Sequence, residues 1–341
     1  MKKNLLIINN EKCLENTKGI FCENLEIKSV AEQLQKYFNV NLVLRKSSKI
    51  STIHEIKNNQ INLSNNIISF LKDIFKFSFK KNYIYLIISV TPYTFLSFLI
   101  LFFLRKKIFL YLRSDGQKEI TLIFGRKISF LYKLVQDFMV KYCISIVANK
   151  EILKNRNFHL VTPSQIDESW YKDTYLPNIE TIRLLYVGRL KVEKGVYFLV
   201  ETFKKIKLLD ERIFLTLIGH GNKIDFDDTR IQIQSGIGDK NLLIKKYDEH
   251  NITILPSFTE AHPQVLLESL VRKRPIIIFE DIAHVKKSYK GVYVSKRNTN
   301  DLLKTIKHII SDYSRIVNEM NENRYPSKQD FILQLKKIFS S

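Results

Sequence analysis

Residues 83–116 read YIYLIISVTPYTFLSFLILFFLRKKIFLYLRSDG, and the fold turns on how they are parsed. Tyr83 to Leu104 runs 22 residues without a charge and is flanked by Arg105, Lys106 and Lys107. That length would suit a membrane-spanning helix. Ser89, Thr91, Pro92 and Thr94 interrupt the run, however, and Pro92 divides it into a strand-like YIYLIISV and a helix-length YTFLSFLILFFL. A helix opening near Pro92, with IFLYLRSDG as a second strand, completes one βαβ unit. The spanning reading gives way to that unit, and peripheral membrane contact through this basic, apolar region remains an expectation.

The same alternation extends in both directions. Before the unit come LLII (5–8), a helix around Ile27, Val30, Ala31, Leu34 and Phe38, VNLVL (40–44), and a helix near 64–76. After it come a long helix from about Lys118 to Tyr142, then CISIVA (143–148) and FHLVTP (158–163). Alternating strands and helices imply a parallel sheet covered on both faces. A polar stretch, SQIDESWYKDTYLPN (164–178), breaks the pattern, and a fresh series starts at IRLLYVG (182–188). It continues through a helix at 194–208, IFLTLIG (213–219), IQIQ (231–234), a helix at 239–249 and ITILP (252–256). A helix from Pro263, PIIIF (275–279), GVYVS (291–295), a helix at 299–322 and a last helix from Ser327 to Phe339 complete it. We therefore expect domains over 1–170 and 171–325, with 326–341 a terminal helix that packs back on the first domain. Two doubly wound layers carry their ligand crevices at the carboxyl ends of the strands, and the expectation is that the two crevices face one cleft.

Composition agrees with a folded chain. The 341 residues are 45% hydrophobic and 26% charged, with only 10 Gly and 7 Pro, which excludes disordered, collagen-like and low-complexity chains. Lys plus Arg outnumber Asp plus Glu by 55 to 34, and the excess is larger in residues 1–170 (+13) than in the remainder (+8). Such a balance suits an anionic surface or substrate, and equally a codon bias towards Lys, Asn and Ile. Cys13, Cys22 and Cys143 are an odd set without metal-ligand spacing, so neither a disulfide framework nor a zinc site is expected, and a reducing compartment follows. The opening MKKNLLIINNEK has an apolar run too short for a signal-peptide core and reads as a first buried strand.

Two stretches of the second series carry chemistry. In LPSFTEAHPQVLLESL (255–270), Glu260 sits at a strand mouth and Glu268 on the helix that Pro263 opens. Hydroxyl-rich ligands need fixed acceptors, which carboxylates supply, and a helix N-terminus beside them favours an anion. In LYVGRLKVEKG (185–195), Gly188 ends a strand, and Arg189 and Lys194 precede a glycine and a helix start. A departing diphosphate gains charge as its bond breaks, and a guanidinium fork with an ammonium stabilises it.

Together, VGRLKVEKG and PSFTEAHPQVLLES resemble the motifs of retaining glycosyltransferases of the GT-B fold, the large family four, including its Glu-x7-Glu element. The likeness is specific over roughly 180–285. It implies a GT-B architecture, α/β with two Rossmann-like doubly wound domains facing a cleft, and a nucleotide diphosphate sugar as donor substrate with no metal. By that likeness Arg189 and Lys194 hold the donor diphosphate, Glu260 contacts the transferred sugar, and Glu268 takes the ribose hydroxyls. Amides around His262 and Gln264 meet sugar or phosphate, and Gly219 and Gly221 of GHG resemble the family's second glycine turn near the nucleotide. Asp115, after a strand of the first domain, is the acceptor-side carboxylate or base, with an ordinary turn aspartate before Gly116 as the alternative. Ala261 and His262 replace the usual Gly and aromatic residue, and Lys273-Arg274 replace a small residue and Gly.

The resemblance further implies transfer to a glycan or lipid-linked acceptor in bacterial surface-polysaccharide synthesis, in the cytoplasm or on the inner face of the cytoplasmic membrane, without nucleic acid. The alternatives are a non-catalytic GT-B-fold protein that binds an anionic polymer or membrane surface, and a GT-B epimerase or phosphorylase. Asp225-Phe226-Asp227 matches a metal-binding D-x-D but falls in a polar loop. No P-loop, G-x-G-x-x-G, G-x-S-x-G or H-E-x-x-H motif is present.

Overall fold

The computed structural model describes residues 2–48, 54–57, 60–153, 156–221 and 228–340. The chain divides into two compact units: residues 1–165 with 328–341, and residues 166–327.

Unit 1 begins with β1 (Asn4–Asn16), β2 (Gly19–Cys22), α1 (Leu25–Leu34), β3 (Asn39–Lys46), β4 (His54–Glu55), β5 (Ile61–Ser64) and α2 (Ile67–Ser78). It continues with β6 (Tyr83–Ile88), α3 (Pro92–Phe103), β7 (Ile108–Leu112), α4 (Gly116–Phe124), α5 (Arg126–Tyr142), β8 (Ile144–Val147) and β9 (His159–Leu160). β1 lies between β3 and β6, both parallel to it, and β6, β7, β8 and β9 follow in parallel order, with β5 outside β3. The antiparallel β2 and the short β4 extend the carboxyl half of β1 as a hairpin, so β1 is longer than the LLII run suggests. Cys13 and Cys22 face each other in that register as free, buried thiols, and burial pushes the Cys22 thiol up to about 12.

The segment that decides the fold forms β6, α3 and β7. Thr91 caps α3: its Oγ1 accepts from Thr94 N at 3.2 Å, while Thr91 N donates to Thr94 Oγ1 at 2.8 Å, and Pro92 takes the first helical position. At 12 residues α3 is about 18 Å long, far short of the roughly 30 Å hydrocarbon core. Among the described residues, no helix is long and apolar enough to cross a membrane.

Two helix expectations are corrected. The single helix over 118–142 is two, because Gly125 adopts φ 82°, which ends α4 and opens α5. The helix over 299–322 is likewise broken at Asp312. Within 83–107, Leu86, Ile87, Phe98 and Leu101 are fully buried, whereas Phe103 at the end of α3 is exposed.

Unit 2 contains β10 (Ile182–Val187), α6 (Val196–Leu209), β11 (Ile213–Ile218), β12 (Ile231–Gln234), α7 (Lys240–Asp248) and β13 (Ile252–Leu255). It ends with α8 (Gln264–Val271), β14 (Ile276–Phe279), β15 (Val292–Ser295), α9 (Thr299–Ser311) and α10 (Tyr313–Glu319). Its six strands are parallel in the order β12-β11-β10-β13-β14-β15. The unit starts at Ile166 rather than 171, because Ile166 and Trp170 are buried in its core. The last helix, α11 (Lys328–Ser340), belongs to unit 1, where Phe339 meets the rings of Phe38 and Phe109 at 6.0 and 5.1 Å.

Candidate active site

The strand order of unit 2 makes β10 and β13 neighbours at the point where the winding reverses. In open α/β sheets ligands bind outside the strand carboxyl ends at such a point. β10 leads into Gly188-Arg189 and β13 into Pro256 to Glu260, so two motifs far apart in sequence meet.

Backbone packing fixes that meeting. Gly195 holds φ 67° between Lys194 and α6, and a Cβ there would overlap the Pro256 carbonyl oxygen. Phe258 N also donates to Glu193 O at 3.1 Å, so the two loops are bonded directly. On the other side, Gly188 N donates to Ile218 O at 2.9 Å and Leu190 N to His220 O at 2.8 Å. A Cβ on Gly219 would overlap the Gly188 carbonyl oxygen, so the Gly219-His220-Gly221 turn lies flat against the Arg189 loop.

The side chains converge unevenly. Lys194 Nζ lies 2.6 Å from Glu260 Oε1, an ion pair with both side chains largely buried. Ser257 Oγ donates to the same oxygen at 2.8 Å, and the His284 ring, through Nε2, reaches the Glu260 carbonyl at 2.8 Å. Arg189 stands half exposed, 3.6 Å from Glu193 Oε1, while its carbonyl accepts from the buried Tyr186 hydroxyl at 2.6 Å. Glu268 is buried on α8 and accepts from Tyr247 Oη at 2.8 Å. Burial pushes its carboxyl up to about 7, and the Tyr247 hydrogen bond pulls only partly back.

Helix geometry adds to the site. Neither α6 nor α8 has a side chain capping its first turn: Gly195 and Pro263 occupy those positions. Two positive helix ends follow Lys194 and His262 respectively, and uncapped first turns suit an anion. Gln264 opens α8 one turn before Glu268. Arg189, Lys194, Gly188, Gly219, Gly221, Glu260, His262, Gln264 and Glu268 all belong to unit 2. Asp115 belongs to unit 1, where it caps α4 by accepting from Lys118 N at 3.1 Å. Asp225-Phe226-Asp227 lies outside the described residues.

Several supporting residues escaped the sequence reading. Ser257 could have been found, since it stands three residues before Glu260 in a tight turn. Arg297 could not: it sits 37 positions beyond Glu260 yet donates to Pro256 O at 2.9 Å and Ser257 O at 3.2 Å, with its guanidinium 4.1 Å from the Phe258 ring centroid. Tyr247 likewise gave no local signal. Lys273-Arg274 are structural departures. Arg274 is fully buried and donates to the carbonyls of Tyr247, Asp248 and Tyr175, and Lys273 takes φ 57° where a glycine would sit without strain.

Comparison with known proteins converges on this half of the chain. Residues 181–312 match the family model described as "Glycosyl transferases group 1". Over 156 residues the chain is 24% identical to an uncharacterized glycosyltransferase of Methanocaldococcus jannaschii, covering 42% of this chain and 40% of that protein, so it spans well under two thirds of that relative. Over the whole chain it is similar to a sucrose-phosphate synthase from Thermosynechococcus elongatus, with TM-score 0.74 and 14% identity, covering 99% of this chain and 98% of that one. WaaG, a glycosyltransferase involved in lipopolysaccharide biosynthesis, superposes with TM-score 0.66 and 12% identity over 98% of this chain and 100% of that one. The fold is GT-B-like, with parallel sheets flanked by helices.

Proposed function

We propose that the chain is a metal-independent retaining glycosyltransferase that moves a sugar from a nucleoside diphosphate sugar to a glycan or lipid-linked acceptor, in the assembly of a surface polysaccharide. The observation that carries the reading is the Lys194–Glu260 pair at the switch point, beside two helix N-termini that no side chain caps. A carboxylate able to hold sugar hydroxyls and an ammonium able to hold phosphate then stand side by side, which matches a ligand with both groups. The match of residues 181–312 to group 1 glycosyl transferases supports the same chemistry.

In this reading the diphosphate lies across the first turns of α6 and α8 with Arg189 and Lys194 upon it. Arg189 is exposed enough to swing onto a ligand. The bond from the anomeric carbon to the phosphate oxygen breaks, the acceptor hydroxyl oxygen bonds to that carbon from the same face, and the hydroxyl proton passes to the leaving diphosphate. No protein base is needed, and Asp115, engaged as a helix cap, takes no step. Glu260 orients the sugar, and Glu268 offers its remaining lone pairs to the ribose.

The test is a melting series with nucleoside diphosphates and their sugars, wild type beside Glu268→Ala. A ligand at about 100 times its Kd adds roughly 2.7 kcal/mol to stability. A shift with one base family, lost in the variant, supports the donor site; no shift with any of them overturns it. The anomeric configuration of the product, read by NMR, tests retention.

A further inference from the structure

The α4–α5 hairpin of unit 1 carries apolar surface that stays exposed among the described residues. α4 buries no side chain, and α5 buries Ser129, Gln136, Met139 and Val140 on one side only. On its other side Leu131, Leu134, Phe138 and Tyr142 recur at three- and four-residue spacing, with exposures of 61, 51, 37 and 45%. That spacing makes one continuous stripe. A helix apolar on opposite faces belongs inside a core; here Phe138 and Tyr142 meet the Phe98 and Phe102 rings of α3, while Leu131 and Leu134 stay exposed. The stripe continues at the hairpin tip, where Ile123, Phe124 and Ile128 flank Gly125 with exposures of 50, 58 and 49%. It also reaches the end of α3: the Phe102 ring packs 4.7 Å from Tyr142, and the adjacent Phe103 is 76% exposed.

The charges in and around the stripe select its occupant. Arg126 and Lys127 stand at the tip, and Lys133 and Lys141 lie along α5, against Glu119 and Asp137; Lys118 pairs with Asp115 at 3.5 Å. Asp137 is already paired with Arg156 at 3.1 Å. Contiguous exposed apolar surface marks an interaction site, and apolar side chains interleaved with cations are what an anionic lipid interface accommodates. A two-fold pairing of this face with a second copy would instead bring like charges together. We infer that α4 and α5 rest in an anionic lipid surface, with the 122–128 tip at the boundary between head groups and acyl chains. The inference uses unit 1 residues alone and stands apart from the donor-site reading.

Sedimentation with vesicles tests it on the full chain, using phosphatidylglycerol mixed with phosphatidylethanolamine and, separately, pure phosphatidylcholine. Wild type should pellet with the anionic vesicles and not with the neutral ones. Phe124→Ser combined with Leu131→Ser should weaken binding about 100-fold through lost apolar burial. Arg126→Gln with Lys127→Gln, which touches no packing, should weaken it about 30-fold, since each cation near an anionic surface contributes about 1 kcal/mol. Wild type that binds neither vesicle overturns the proposal. So does equal binding to both, or a dimer in sedimentation velocity that the Phe124→Ser, Leu131→Ser variant abolishes.

Discussion

Lys194 Nζ and Glu260 Oε1 stand 2.6 Å apart although the two residues come from different strand ends of unit 2. Each holds the other in place before any ligand arrives. Lys194→Ala should therefore lower turnover about 100- to 1000-fold through lost charge stabilisation. Because Glu260→Gln disturbs the same pair, the double variant should lose less than the product of the two single losses. Steady-state kcat/KM for the four proteins checks this, and a Lys194→Ala enzyme with near wild-type turnover would remove Lys194 from the reaction.

Arg297 supports the loop that carries Glu260 without touching the carboxylate. It bonds the Pro256 and Ser257 carbonyls and pairs with Asp281 at 2.6 Å, its planar group lying over the rings of Phe198, Phe258 and Phe279. Arg297→Lys should not restore the protein, since one ammonium cannot reproduce the fork or the stacking. Arg297→Met should cost about 1–3 kcal/mol in urea unfolding, with kcat falling further than substrate affinity.

Glu268 supplies a pH signature. Its carboxyl is raised from the usual carboxylate value to about 7 by burial, so the folded chain holds a proton that the unfolded chain releases near 4.5. Stability attributable to this group is then full below that lower value, declines as pH rises towards 7, and is level beyond it, a total of about 3 kcal/mol. Thermal melts of wild type and Glu268→Gln should diverge between pH 5 and 8, with the variant lacking the decline. Parallel melting curves across the range would count against the assignment.

Asp248 at the end of α7 takes Arg272 in a two-bond clasp, Nε to Oδ1 at 2.9 Å and Nη2 to Oδ2 at 2.7 Å, all of it buried. Arg272 also reaches the Trp170 and Lys172 carbonyls, which pins the polar 166–178 stretch onto unit 2. Asp248→Ala leaves the buried Arg272 and Arg274 with carbonyl acceptors but no carboxylate and should cost about 3–5 kcal/mol, measurable by chemical denaturation. Asp248→Asn, which keeps one acceptor, should cost less.

What the sequence revealed and what it hid follow from the range of each signal. Hydrophobic period and Pro92 are local, so the β6-α3-β7 unit and both sheets were legible. The Glu260 and Arg189 motifs were legible because each is a short run. Strand order is not local, and the Lys194–Glu260 contact emerges only once β10 and β13 are neighbours. Gly125 was read through because apolar residues continue on both sides of it, and nothing in their spacing says that one side faces outward. Arg274 stood out only as part of the Lys273-Arg274 departure and Arg272 not at all, since their partners in 170–175 and 247–248 share no pattern with them.

The overlap that a Cβ at Gly195 would make with the Pro256 carbonyl, and one at Gly219 with that of Gly188, bears on how this protein can be redesigned. Backbone rests on backbone at both places, so neither loop has room to lengthen or exchange for a relative's without displacing its neighbour. If the proposed donor site holds, changes of donor preference should come from side-chain substitutions at Ala261, His262 and Gln264, which lie between Glu260 and Glu268 in sequence. Grafting whole loops between homologues should yield unfolded protein.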